Sequence, residues 1–89
     1  MNADEHHEAM QEGIFRASLI KKDLEKYNTE YYPQKVRALI KAYIETVREI
    51  IRQGEGFLDK SENFELGLKV AQITQNYKAF LSTIKNKDD

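Results

Sequence analysis

The chain has 89 residues, of which 40% are hydrophobic and 33% are charged, with four glycines, one proline and no cysteine. This composition is typical of a helical domain, and the lack of cysteine excludes disulfides and thiolate chemistry. The net charge of −1 differs from the strongly basic balance of many nucleic-acid-binding proteins. We expect residues 1–89 to form one domain with fraying polar ends at 1–3 and 86–89.

The first eleven residues are acidic, and no long apolar run follows them anywhere in the chain. A signal peptide needs a basic start and an apolar stretch, and a membrane-spanning helix needs about 20 apolar residues. We therefore expect no membrane association and a cytoplasmic location.

The first helix is predicted over about residues 4–26. From Met10 to Tyr27, apolar residues recur three and four positions apart, which places them on one side of a helix. Asn2 and Glu5 have the spacing of a capping box, in which each side chain accepts the backbone N–H of the other. Gly13 weakens the helix by about 1 kcal/mol relative to alanine.

The central helix is predicted over residues 33–53, with Pro33 in its first turn and Gly54 just beyond its end. Its apolar stripe widens on both flanks, so we expect neighbours on more than one side. The stripe consists of Val36, Ile40, Tyr43, Val47 and Ile50, and its flanks add Leu39, Ile44 and Ile51.

The third helix is predicted over about residues 60–85. Phe57 and Leu58 are expected to close the end of the bundle from the preceding connection. Residues 59–62 have a capping-box pattern, with Asp59 or Ser61 as the cap. Gly67 suggests a close approach of two helices. Six apolar residues form the stripe, with Phe64, Ala71 and Leu81 beside it: Leu66, Val70, Ile73, Tyr77, Phe80 and Ile84.

Three helices of similar length with short connections predict an all-α, antiparallel up-down-up three-helix bundle. The core of so small a bundle is thin, and self-association is a common supplement.

No group of residues in the sequence assembles a reactive site. His6 and His7 are adjacent, and adjacent helical side chains point about 100° apart, so they cannot bind one metal ion together. A calcium loop beginning at Asp59 would need glycine and glutamate where Phe64 and Val70 stand. We therefore predict no catalytic residue, cofactor or metal ion, and a protein that is not an enzyme.

The most suggestive feature for function is a cluster of tyrosines before Pro33. Tyrosine is common at the centres of protein interfaces, and a proline-braced turn holds it at low entropic cost. Apolar residues on the helix flanks also exceed what a thin core needs. We predict that a second protein, or a second copy of this chain, is bound by Tyr27, Tyr31, Tyr32, Phe15, Leu19, Leu39 and Ile51.

Nucleic-acid binding is the less favoured alternative. Arg37, Lys41, Arg48 and Arg52 lie on one polar side of the central helix and could contact phosphates. Glutamates at positions 45 and 49 lie three and four residues from these cations, which is the spacing of intrahelical ion pairs. The sequence therefore favours a basic side that is mostly neutralised by its own glutamates.

Overall fold

The computed structural model describes the backbone of residues 1–88 and the side chains of residues 1–84. Three helices follow one another: α1 (Ala3–Lys26), α2 (Pro33–Lys60) and α3 (Phe64–Asp88). α2 packs against both other helices, and the predicted all-α three-helix bundle is confirmed. Residue 89 and the side chains of 85–88 lie outside the described part, so the expected fraying of 86–89 is not described.

Side-chain contacts give the directions of the helices. His6 near the start of α1 reaches Gln53 near the end of α2, whereas Gly13, further along α1, faces the earlier residue Ile50. On the other side of α2, Gly67 near the start of α3 faces Leu58, whereas Lys78, further along α3, contacts the earlier residue Glu55. Each pair of neighbouring helices therefore runs antiparallel, as predicted from the short connections.

α1 begins where its capping box predicts. The Asn2 side-chain oxygen accepts the N–H of Glu5 at 2.8 Å, and the Glu5 carboxylate accepts the N–H of Asn2 at 3.0 Å. Both backbone donors would otherwise lack an intrahelical partner. The cap thus fixes the first turn of α1, which brings His6 and Met10 onto α2.

α2 does not end at residue 53 as predicted but continues through both glycines to Lys60. Glycine disfavours a helix by about 1 kcal/mol, whereas full burial of a phenylalanine side chain contributes about 1.5–3 kcal/mol. Phe57 is 2% exposed inside the continued helix, so its burial outweighs the poor propensity of Gly54 and Gly56. The prediction that Phe57 and Leu58 lie in a connection is wrong.

The two glycines have a packing role instead of a capping role. A Cβ on Gly54 would lie 2.5 Å from Thr74 Oγ1, and one on Gly56 would lie 2.6 Å from the His6 ring. Gly13 likewise leaves room for Ile50, at 2.7 Å. At Gly67, where a close approach was predicted, the nearest atom is an ordinary 3.9 Å away, on Leu58.

The connection between α2 and α3 is shorter than predicted. The N-cap residue of α3 also lies later in the chain than predicted. Asn63 caps α3, because its side-chain oxygen accepts the N–H of Leu66 at 3.1 Å. Ser61, one of the two predicted caps, instead ends α2 with its N–H bonded to the Phe57 carbonyl at 2.8 Å. The Ser61 hydroxyl then accepts the N–H of Asn63 at 3.0 Å. α3 therefore starts at Phe64 and not near residue 60, and it extends past the predicted end at 85.

The core lies towards one end of the bundle. Its largest fully buried side chains are Met10, Val47, Ile50, Phe57 and Val70. These residues belong to the first half of α1, the second half of α2 and the first half of α3. Towards the turn that joins α1 to α2, Ile40 is 45% exposed, although the apolar stripe predicted it to be in the core. The largest buried side chains thus lie away from the Tyr31–Pro33 turn, beside which Val36 is the buried residue of α2.

Candidate protein-interaction surface

Asn28 organises the turn between α1 and α2. Its carbonyl accepts the N–H groups of Tyr31 and Tyr32 at 3.2 and 2.9 Å, and its side-chain oxygen accepts the N–H of Glu30 at 2.7 Å. The carbonyl of Tyr32 in turn accepts the N–H of Val36 in the first turn of α2. The backbone of the turn is thus fixed by its own hydrogen bonds.

The rings of Tyr27 and Tyr32 are in contact, and Tyr31 and Tyr32 face solvent. Tyr27 is half-buried, and the rings of Tyr27 and Tyr32 meet edge to face with centroids 5.5 Å apart. The ammonium group of Lys35 lies 5.3 Å from the centre of the Tyr27 ring, within the range of a cation–π interaction. Tyr31 is 74% exposed and Tyr32 is 54% exposed. We call Tyr27, Tyr31 and Tyr32 the tyrosine turn.

Phe15 and Leu19 form a second exposed apolar site on α1. Both side chains are exposed, and their four-residue spacing places them on one side of the helix. That side is turned away from Met10, Gly13 and Ala17, the buried residues of α1. The fold itself therefore uses neither Phe15 nor Leu19 in its core.

The last two predicted contact residues are not on the outer surface. Leu39 is half-buried, and Ile51 is 8% exposed. Ile51 lies in the floor of a groove of about 590 Å³ between α2 and α3, bordered by Arg48 and Lys78. Because one flank of α2 faces α3, Ile51 belongs to the fold's own contacts, and fewer apolar residues are surplus than the sequence predicts.

The basic side of α2 is less neutralised than predicted. Arg37, Lys41, Arg48 and Arg52 are all exposed. Arg52 pairs with Glu49 at 2.7 Å. Within residues 1–84, whose side chains are described, the other three cations form no ion pair.

The two histidines have separate structural contacts. His6 Nδ1 lies 2.7 Å from Gln53 Oε1, and Gln53 Nε2 donates to Glu49 at 2.8 Å. Since the Gln53 oxygen can only accept, His6 donates through Nδ1. His7 instead packs against Phe57, with ring centroids 5.5 Å apart. In the described part of the chain, no three histidine or carboxylate side chains are grouped so that they could hold a metal ion.

Sequence reasoning missed a third exposed apolar site at the start of α3. Phe64 is 76% exposed and Leu68 is 58% exposed, and both line a shallow depression with Leu58 and Gly67. The spacing of apolar residues predicts Phe64 beside the core stripe. Residues 64–84 contain only three charged side chains, Glu65, Lys69 and Lys78, which indicates a largely apolar helix but not which of its sides is exposed.

No family model, curated protein or solved structure matches this chain. Within residues 1–88, none of the three helices is long and apolar enough to cross a membrane.

Proposed function

We propose that this chain is a small, non-enzymatic helical module that binds a larger protein through the tyrosine turn, with Phe15 and Leu19 as a second contact. The observation that carries the proposal is the exposure of Tyr31 and Tyr32 on a turn fixed by Asn28. A cytoplasmic, regulatory or adaptor role is part of the same proposal.

Buried area and preorganisation both favour binding at the tyrosine turn. An aromatic side chain buries about 150–250 Å² when it is fully covered, and burial contributes about 25 cal/mol per Å². Two tyrosines therefore supply several kcal/mol to an interface. Because Tyr32 already rests against Tyr27, less side-chain freedom is lost when a partner covers it.

The proposal assigns His6 and His7 to stability rather than to chemistry. His6 is engaged by Gln53, and His7 lies against Phe57. General acid–base catalysis requires a side chain within reach of a substrate proton. Both imidazoles are instead half-buried between α1 and α2.

Affinity purification of the whole chain from its native cell, with quantitative mass spectrometry, tests the proposal. The double variant Tyr31→Ser/Tyr32→Ser should lose at least one co-purifying protein that the wild type retains. Glu30→Ala is the matched control, because it alters the same turn without removing an aromatic ring. If the wild type and the double variant retain identical proteins, the turn does not bind a partner.

Nucleic-acid binding is a second candidate, favoured by the three cations that have no ion pair among the described side chains. Neutralising Arg37, Lys41 and Arg48 to glutamine should then weaken binding to DNA or RNA and flatten its dependence on salt. Fluorescence anisotropy measures both effects, and Lys21→Gln/Lys22→Gln on α1 is the control. Absence of binding by the wild type at low salt would eliminate this candidate.

A further inference from the structure

The groove that contains Ile51 combines an apolar floor with a charged border. Its floor is aliphatic and is formed by two residues of α2 and two of α3: Ile44, Ile51, Leu81 and Ile84. Ile51 is buried, and the other three side chains are half-buried. Part of their apolar surface therefore remains available to another molecule. We call this site the α2–α3 groove.

The border of the α2–α3 groove is positively charged. Arg48 of α2 and Lys78 of α3 stand there with Ser82, and none of the described residues that line the groove is acidic. Arg48 forms no ion pair with the described side chains of residues 1–84. Lys78 contacts Glu55 at 3.4 Å, but both side chains are well exposed. Exposed ion pairs contribute little, so Lys78 can also contact a bound partner.

The positive charge continues along α2 beyond the groove. Arg37, Lys41 and Arg48 are spaced by four and seven residues, so they share one side of the helix. All three are exposed and without an ion pair among the described side chains. They extend over eleven residues, or about 16 Å along the axis. A ligand that engages all of them must carry several negative charges along this length, next to an apolar part.

We propose that the α2–α3 groove binds an acidic amphipathic helix of a partner protein. Ile44 and Ile51 lie seven residues apart, or about 10 Å. This is the distance between the outer anchors of a helix that places apolar residues i, i+3 or i+4, and i+7 into a groove. Acidic residues on the flanks of that helix would meet Arg48 and Lys78. Complementary charges at the border orient the helix and accelerate its association.

Two other classes of ligand match the site less well. Single-stranded nucleic acid binds by stacking its bases on aromatic side chains, and no aromatic residue is among the described residues that line the groove. A fatty acid carries one negative charge, which does not match cations distributed over about 16 Å. An acidic amphipathic helix uses both the aliphatic floor and the row of cations.

This inference deepens the proposed protein-binding role, on which it rests, at a surface separate from the tyrosine turn. Fluorescence anisotropy of a labelled peptide mixed with the whole chain tests it. The probe is a peptide of about 18 residues, with leucines three and four positions apart and glutamates on both flanks. It should bind saturably, and a peptide with serine in place of leucine should bind about tenfold more weakly or worse. No saturable binding of the probe, or equal binding of the serine peptide, would overturn the inference.

A charge exchange tests the role of the border. Arg48→Glu should weaken binding of the probe by about fivefold or more, because an attraction becomes a repulsion. A peptide with lysine in place of glutamate should show the reverse preference and bind Arg48→Glu more tightly than the wild type. Lys22→Glu is the matched control, since it makes the same change of net charge at an exposed position of α1. Equal effects of Arg48→Glu and Lys22→Glu would contradict binding in the groove.

Nuclear magnetic resonance of the wild-type chain locates the bound peptide without any substitution. The largest shifts of backbone amide signals should occur in residues 44–51 and 78–82. Shifts concentrated in residues 27–33 or 64–68 would contradict the assignment to the groove. Tyr31→Ser/Tyr32→Ser should bind the peptide as the wild type does, so failure at the groove and failure at the tyrosine turn are distinguishable.

Discussion

Gly54 is the residue at which all three helices come together. A Cβ at this position would lie 2.5 Å from Thr74 Oγ1 of α3 and 3.6 Å from the Met10 side chain of α1. Thr74 is buried, and its hydroxyl has no hydrogen-bond partner within the described residues. The absence of a side chain on Gly54 therefore determines how closely α3 can approach α2.

Gly54→Ala should lower the free energy of unfolding by up to about 2 kcal/mol. Overpacking a buried site costs about 1–3 kcal/mol, which exceeds the gain of about 1 kcal/mol that alanine brings to a helix. Urea denaturation measures the change. Gly67→Ala is the matched control and should stabilise the chain, since its nearest neighbour is 3.9 Å away. A stabilised Gly54→Ala variant would contradict the close contact.

A second substitution tests the cause of that loss. Thr74→Ala removes the hydroxyl that the new methyl group would meet, so Gly54→Ala should cost less in a Thr74→Ala chain than in the wild type. The measurement is a double-mutant cycle of unfolding free energies. Additive effects of the two changes would show that Thr74 is not the obstacle.

The environment of Tyr77 predicts that the stability of the fold decreases at alkaline pH. Burial, with a smaller contribution from the neighbouring Tyr43, raises the pKa of Tyr77 above its usual 10.0. The folded state then keeps this proton at pH values where the unfolded state has lost it. Stability from this group is complete below pH 10 and decreases as pH rises towards the raised pKa.

Tyr77→Phe should accordingly reduce the decline in unfolding free energy above pH 10. Urea denaturation across pH 8–11 is the measurement, and Tyr31→Phe at the exposed turn is the control. If the unfolding free energy of the Tyr77→Phe chain falls as steeply above pH 10 as that of the wild type, Tyr77 is not the cause of the decline.

At the scale of the elements, periodicity predicts the helices well and their junctions less well. The stripe in α1 and the Asn2–Glu5 pair were sufficient to predict its start, because a capping box is a local feature. The end of α2 was not predictable in this way. Gly54 and Gly56 are typical of a helix end, and only the contacts with Thr74 and His6, which are distant in sequence, show why the helix continues.

Because α2 continues to Lys60, the adjacent residues Phe57 and Leu58 should contribute differently to stability. Phe57→Ala should destabilise the chain by about 3–5 kcal/mol, because it leaves a cavity in the core. Leu58→Ala should cost about 1 kcal/mol, since this side chain is 38% exposed. Thermal unfolding of the two variants measures the difference. Similar losses would indicate that both residues lie in a connection, as the glycines had suggested.

At the scale of the whole molecule, the core is concentrated at one end and apolar residues are exposed elsewhere. The tyrosine turn was predicted as a candidate site from the sequence, because tyrosines before a proline are a local pattern. The exposure of Phe64 and Leu68 could not be predicted in this way. It depends on which side of α3 faces α2, and both sides of α3 are apolar enough to be buried.

Site-specific photocrosslinking in the native cell tests the proposed interaction through the tyrosine turn most directly. A photoreactive phenylalanine analogue at position 31 preserves the aromatic ring, and the same analogue at the exposed position 45 on α2 is the control. The account predicts a covalent adduct with another protein at position 31 and none at position 45. No adduct at position 31, or the same adducts at both positions, would contradict it.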